Sequence, residues 1–206
     1  MNKESLIHVT DIDNRIKAFK AVLKGHEHED VIVQKYIVHG TPYIFKDDED
    51  KYFDLKREIA ANFSEHYNNI HMVGSAKLGF SIAPNKLWKP FTIESDIDIV
   101  IVSAKLFENL WGSVHEFNIG LTSRTKDEDD RYKRFLDYFF KGWIRPDLFP
   151  FEYSVKTEWF EFFKSISYRK YGYQKITGAL YHSFNFFEKY HTKNVAKLRI
   201  GDEENA

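Results

Sequence analysis

The run Ser95-Asp-Ile-Asp-Ile-Val-Ile-Val-Ser103 constrains the fold more than any other stretch of the chain. Successive side chains of a strand point to opposite faces. Ile97, Ile99 and Ile101 therefore share one face, and Asp96, Asp98, Val100 and Val102 share the other. The later half of this strand is apolar on both faces, which makes it central and buried. Two carboxylates at the mouth of such a strand are costly unless something neutralises them. Each also disfavours ionisation of the other. A divalent cation removes both problems, and Mg²⁺ is held by one or two carboxylates together with substrate phosphates.

A second stretch supplies the complementary chemistry. Ile70-His-Met-Val73 is a short apolar strand that runs into Gly74-Ser75-Ala76-Lys77-Leu78-Gly79. A strand entering a Gly-Ser turn and then a helix presents free backbone N–H groups, which suit a phosphate. Gly74 permits close approach of the backbone. The Ser75 hydroxyl can donate to a phosphate oxygen, and Lys77 can act on it as a point charge. One half suits a triphosphate and the other suits the metal that activates it.

In this order the two motifs resemble the polymerase β-like nucleotidyltransferase superfamily, in its minimal bacterial form. The resemblance is carried by Gly74, Ser75, Asp96 and Asp98, helped by Lys77 and Ser95, within residues 70–104. It implies an α+β fold, with a small mixed sheet, flanking helices and a helical C-terminal portion. It also implies transfer of a nucleoside monophosphate from an NTP such as ATP to an acceptor hydroxyl, with release of pyrophosphate. Two Mg²⁺ ions, or Mn²⁺ in their place, would be held by Asp96, Asp98 and a third carboxylate on a later strand. Asp147 in Trp143-Ile-Arg-Pro-Asp-Leu-Phe-Pro150 is the first candidate for that third group and Glu152 the second. Glu94 adjoins the motif without an assignable face. The chain departs from the pattern in spacing, because Gly74 and Asp96 lie 22 positions apart. The insert Ser81–Phe91 is expected to loop beside the pocket.

The remaining pattern is ordinary for a globular chain of 206 residues. Apolar spacing predicts helices over 10–24, 48–68, 104–116, 127–141, 154–166 and 174–198. The β-rich runs 31–33, 36–38 and 43–45, broken at Gly40-Thr-Pro42, predict a hairpin. The expected division is a core over 1–150 and a helical portion over 151–206, unless the two are continuous. With no cysteine, disulfides, thiol nucleophiles and Cys-based metal sites are excluded. A net charge of −1 argues against a dedicated nucleic-acid coat. The N-terminus lacks the apolar run of a secretory signal, and no stretch is long enough for a membrane span, so a cytoplasmic protein is expected. His26-Glu-His-Glu-Asp30 reads as a solvated loop rather than a metal tract. Lys164, Arg169, Lys170 and Lys175 interleave with Tyr168, Tyr171 and Tyr173. Such a mixture suits either an amphipathic surface or contact with a nucleotide or acceptor.

Two functions compete. In the first, the chain is an enzyme whose acceptor is a protein, another nucleotide or a tRNA end. In the second, it keeps the fold and the nucleotide pocket but acts as an antitoxin-like binder of a protein partner. A third carboxylate near Asp96 and Asp98 discriminates between them.

Overall fold

A computed structural model describes residues 11–121, 123–150 and 153–203. The chain opens with α1 (Ile12–Leu23), capped by the Asp11 carboxylate on the Asn14 N–H at 2.8 Å. Next comes α2 (Glu29–Val33), which runs on into a π-helical turn over Gln34–Val38. This corrects the expected hairpin. Ile32, Val33, Tyr36 and Ile37 are buried on a helical face against the C-terminal helix, and residues 43–45 form a 3₁₀ turn. A short β-branched run does not reveal its period, so packing decided between strand and helix.

After α3 (Glu49–Phe63), β1 (Ile70–Val73) leads into the short α4 (Gly74–Leu78), and the loop 79–96 leads to β2 (Ile97–Val102). Then follow α5 (Ala104–Gly120), α6 (Lys126–Phe139), the two-residue β3 (Trp143–Ile144) and α7 (Ser154–Ile166). The chain closes with β4 (Ile176–Tyr181) and α8 (Phe184–Glu203). The last strand corrects a helix expected from 174. Ile176–Tyr181 pairs parallel with β2, and only Phe184 onward is helical. The C-terminal portion is thus not wholly helical, because it supplies a strand of the central sheet.

The sheet is mixed, in the order β1-β2-β4-β3. β1 lies antiparallel to β2, β4 parallel to it, and β3 antiparallel to β4. β2 is interior, as its two apolar faces require. Ile97, Ile99 and Ile101 pack with Ile70, Met72, Ile176 and Leu180 under α3, α5 and α7. Val100 and Val102 pack with Val73, Tyr181 and Phe187 under α1, α2 and α8. Gly178 lets β4 lie against α7, since the Phe163 ring fills the space its Cβ would need. Among the described residues no helix is long and apolar enough to cross a membrane.

Two histidines on the α8 side of the sheet are held neutral. Burial pushes His71 down to about 4, with Lys56 and then Lys77 adding to the effect against a backbone contact at Asn68. Burial alone pushes His191 down to about 4. A folded-state pKa below the unfolded value means that unfolding takes up protons, so stability falls as pH drops from about 6.5 toward about 4. Each histidine can cost up to about 3 kcal/mol over that window. Urea titrations between pH 7 and pH 4 should show this decline. His71→Leu should flatten it and abolish one of the two proton uptakes.

Candidate functional site

Register brings the two motifs together. Val73 is the Cα partner of Asp98 on one side of β2, and Thr177 is its partner on the other. The chain leaves β1 at Val73 and turns at once through Gly74, whose φ is +67°. A Cβ at Gly74 would stand 2.8 Å from Asp98 Oδ2. Only glycine tolerates both that backbone and that approach. The Thr177 hydroxyl donates to Asp98 Oδ1 at 2.9 Å. Asp98 is therefore gripped from two sides, with one oxygen engaged by Thr177 and the other facing the Gly74 turn.

No side chain caps the start of α4, so its first N–H groups stay open to a ligand. With five residues α4 has little macrodipole, and any anion here would depend on local donors and nearby cations. Its far end is clamped instead. The Arg15 guanidinium donates to the Leu78 carbonyl at 2.9 Å and lies over the Tyr43 ring.

Gly74, Ser75, Asp96 and Asp98 line one open cavity of about 1180 Å³. One wall is the loop between α4 and β2, including Ser81, Lys86 and Lys89, as the insert was expected to do. That loop is pinned at its root. The Ser81 N–H donates to the Lys89 carbonyl and the Trp88 N–H to the Ser81 carbonyl, both at 2.8 Å. Trp88 packs on Phe19 and Phe80 beneath the Lys20 ammonium. The opposite wall is α8, through Tyr190, His191, Asn194 and Lys197. These four residues had no signal in the sequence beyond helical spacing.

Burial pushes the Asp98 carboxyl above its ordinary value. The Thr177 hydrogen bond opposes this, Asp96 adds to it, and Lys86 and Lys175 pull it down. Asp96, at the exposed end of the strand, completes a two-carboxylate donor set of the kind Mg²⁺ takes up with substrate phosphates. Among the described residues no group of three metal-ligating side chains forms.

The later strand beside β2 carries Thr177 opposite Asp98, and no carboxylate lies within it. Asp147 lies elsewhere, in a 3₁₀ turn over Pro146–Leu148 that follows β3. Its carboxylate is held by Arg145 at 2.9 and 3.1 Å, and its carbonyl accepts from Arg131. It nonetheless shares with Asp98 and Thr177 the wall of a second cavity, of about 900 Å³. Glu152 lies outside the described residues. Glu94 is exposed in the turn before β2 and lines the first cavity.

Lys77 has a different environment from the one its sequence position suggests. It is 4% exposed. Its ammonium donates to the His39 carbonyl at 2.6 Å and to the Gly40 carbonyl. Burial pushes it down to about 7, helped by Lys56 and Arg15. A neutral amine still has the N–H groups needed for both carbonyls. Lys77 thus ties α4 to the end of the π-helical turn with two of its donors, and it also lines the first cavity. Nothing in the local sequence points to residues 39 and 40 as its partners.

No family model, curated protein or solved structure matches the chain.

Two substitutions test this construction. Gly74→Ala forces a left-handed alanine against the Asp98 carboxylate, and should cost about 1–3 kcal/mol by chemical denaturation. Lys77→Met removes the donor shared by the His39 and Gly40 carbonyls and should lower stability by about 1–3 kcal/mol in all. Because the folded Lys77 sits near 7, below its ordinary 10.5, wild-type stability should rise with pH from about 7 toward 10. The Met variant should lose that rise.

Proposed function

We propose that the chain is a Mg²⁺-dependent nucleotidyltransferase that moves a nucleoside monophosphate from an NTP to an acceptor hydroxyl. The observation that carries this reading is the close approach of Gly74 to Asp98 on the wall of a single cavity. Register brings a phosphate-type turn against one of two neighbouring carboxylates, and glycine is the residue that admits the contact.

Asp96 and Asp98 would hold the cation, which supplies charge neutralisation for the triphosphate and the leaving group. The open N–H groups of the Gly74 turn and the Ser75 hydroxyl would orient the phosphates. Lys86, Lys89 and Lys197, on facing walls of the cavity, would balance the charge that Asp96 and Asp98 leave uncompensated. In the transfer the acceptor oxygen attacks the α-phosphorus and a new P–O bond forms. The bond from the α-phosphorus to the α–β bridging oxygen breaks, and its electron pair leaves on pyrophosphate. The hydroxyl proton passes to a carboxylate on the acceptor side, for which Asp147 is the candidate.

The alternative is a nucleotide-binding, antitoxin-like protein without transfer. It is favoured by one observation: the strand position facing Asp98 is a threonine. Incubation with Mg²⁺ and each α-labelled NTP separates the two. The enzyme reading expects label on an acceptor, lost at least a hundredfold in Asp96→Asn and in Asp98→Asn. Asp98→Asn should leave the apo fold as stable as wild type or more so, because it removes a buried, disfavoured charge. Mg²⁺-dependent NTP binding without label transfer would support the binder. Absence of any NTP binding at millimolar concentration would defeat both readings.

A further inference from the structure

The second cavity begins where the first ends. Asp98, Val73, Ala83, Tyr190 and His191 line both, so Asp98 stands at the partition. The second cavity follows the edge of β4. β3 has only two residues and pairs with Leu180 and Tyr181, leaving Ile176–Ala179 without a neighbour strand on that side. Side chains occupy that edge instead. The Trp159 indole donates to the Gly178 carbonyl at 3.3 Å, and the Ile176 N–H donates to Ser167 Oγ at 2.8 Å.

Its lining is specific in chemistry. Trp159, Phe160 and Tyr168 give aromatic surface, and Lys164 and Lys175 give positive charge. Arg145 is engaged by Asp147, whereas neither lysine has an ion-pair partner among the described residues. Tyr168 adds an independent sign. It is 60% exposed and holds a left-handed backbone at φ +57°, an arrangement an aromatic residue adopts only at a cost. The interleaved lysines and tyrosines of the sequence are sorted here. Lys164, Tyr168 and Lys175 face the cavity, while Tyr171 turns inward to Glu58 and Lys170 pairs with Asp54.

We propose that this second cavity is the acceptor site, and that the acceptor is a small anionic molecule with a planar aromatic ring, such as a nucleoside monophosphate. The ring would lie on Tyr168 and Phe160 and the anionic group on Lys164 and Lys175, with the hydroxyl toward Asp98. This rests on the transferase reading of the first cavity. A neutral polyol or a polycationic acceptor would leave both lysines uncompensated.

The test uses the whole chain and intrinsic fluorescence, since Trp143 and Trp159 line the cavity. AMP, GMP, CMP and UMP are titrated with the first cavity saturated by a non-hydrolysable NTP analogue and Mg²⁺. Adenosine and a cationic aminoglycoside serve as controls. At least one monophosphate should bind, at least tenfold more tightly than either control. Lys164→Gln should weaken it about tenfold. Tyr168→Gly should weaken it while leaving thermal stability equal or higher, because glycine relieves the left-handed backbone; a purely structural tyrosine would instead lower stability. Binding of the analogue but of no monophosphate overturns the acceptor assignment and leaves the transferase reading standing. Monophosphate binding that is insensitive to both variants overturns it as well. Failure of the analogue while a monophosphate still binds in a Lys164-dependent way keeps the second site and defeats the transferase reading instead.

Discussion

The row Val73–Asp98–Thr177, set by strand pairing on both sides of β2, is the constraint on which the rest depends. β2 is buried on both faces over most of its length, so its register is strongly fixed. A slip of one residue would drive Asp98 into the Ile97–Ile99–Ile101 layer and push the isoleucines into the space that Val100 and Val102 fill. With register fixed, the Gly74 turn has no freedom about where it meets the carboxylate. The site is then a geometric consequence of core packing, with glycine admitted at the one contact where a side chain would collide.

The surroundings of that row are held by groups kept in their uncharged or fully paired forms. His71 under α8 and His191 on it stay neutral because burial outweighs their affinity for a proton. Lys77 is spent on two carbonyls, and Arg15 on a third at the end of α4. Arg199 pins the far end of α8 to Glu29 and to the Glu27 carbonyl. These contacts fix both walls of the first cavity from outside, leaving Lys86, Lys89 and Lys197 to face into it.

Much of the fold was readable where local pattern and final packing agree. The helices near 12–23, 49–63, 104–120, 126–139 and 154–166 follow from apolar periodicity, and all but the last have a side-chain cap, including the Thr125–Glu128 capping box. Residues 31–38 were misread because a short β-branched run suits a buried helix as well as a strand. The strand at 176–181 was hidden by the aromatic helical pattern that follows it. Thr-Gly-Ala has weak propensity of its own, and the strand exists because its edge completes β2 from 79 positions away in sequence (Asp98 to Thr177).

The sequence by itself determined that β2 is central, that its carboxylates share a face with Val100 and Val102, and that a Gly-Ser turn follows a strand. Alternation and turn chemistry are local properties, so they can be read residue by residue. Only the tertiary structure decided that Thr177 faces Asp98, that Asp147 is paired with Arg145 on the wall of a second cavity, and that Lys77 is a buried clamp. The Thr177 and Lys77 pairings span long sequence separations, and Asp147, only two residues from Arg145, reaches the cavity wall through the packing of distant elements. Which partner a buried donor or carboxylate meets is settled by how the layers close, and residue order does not encode that locally.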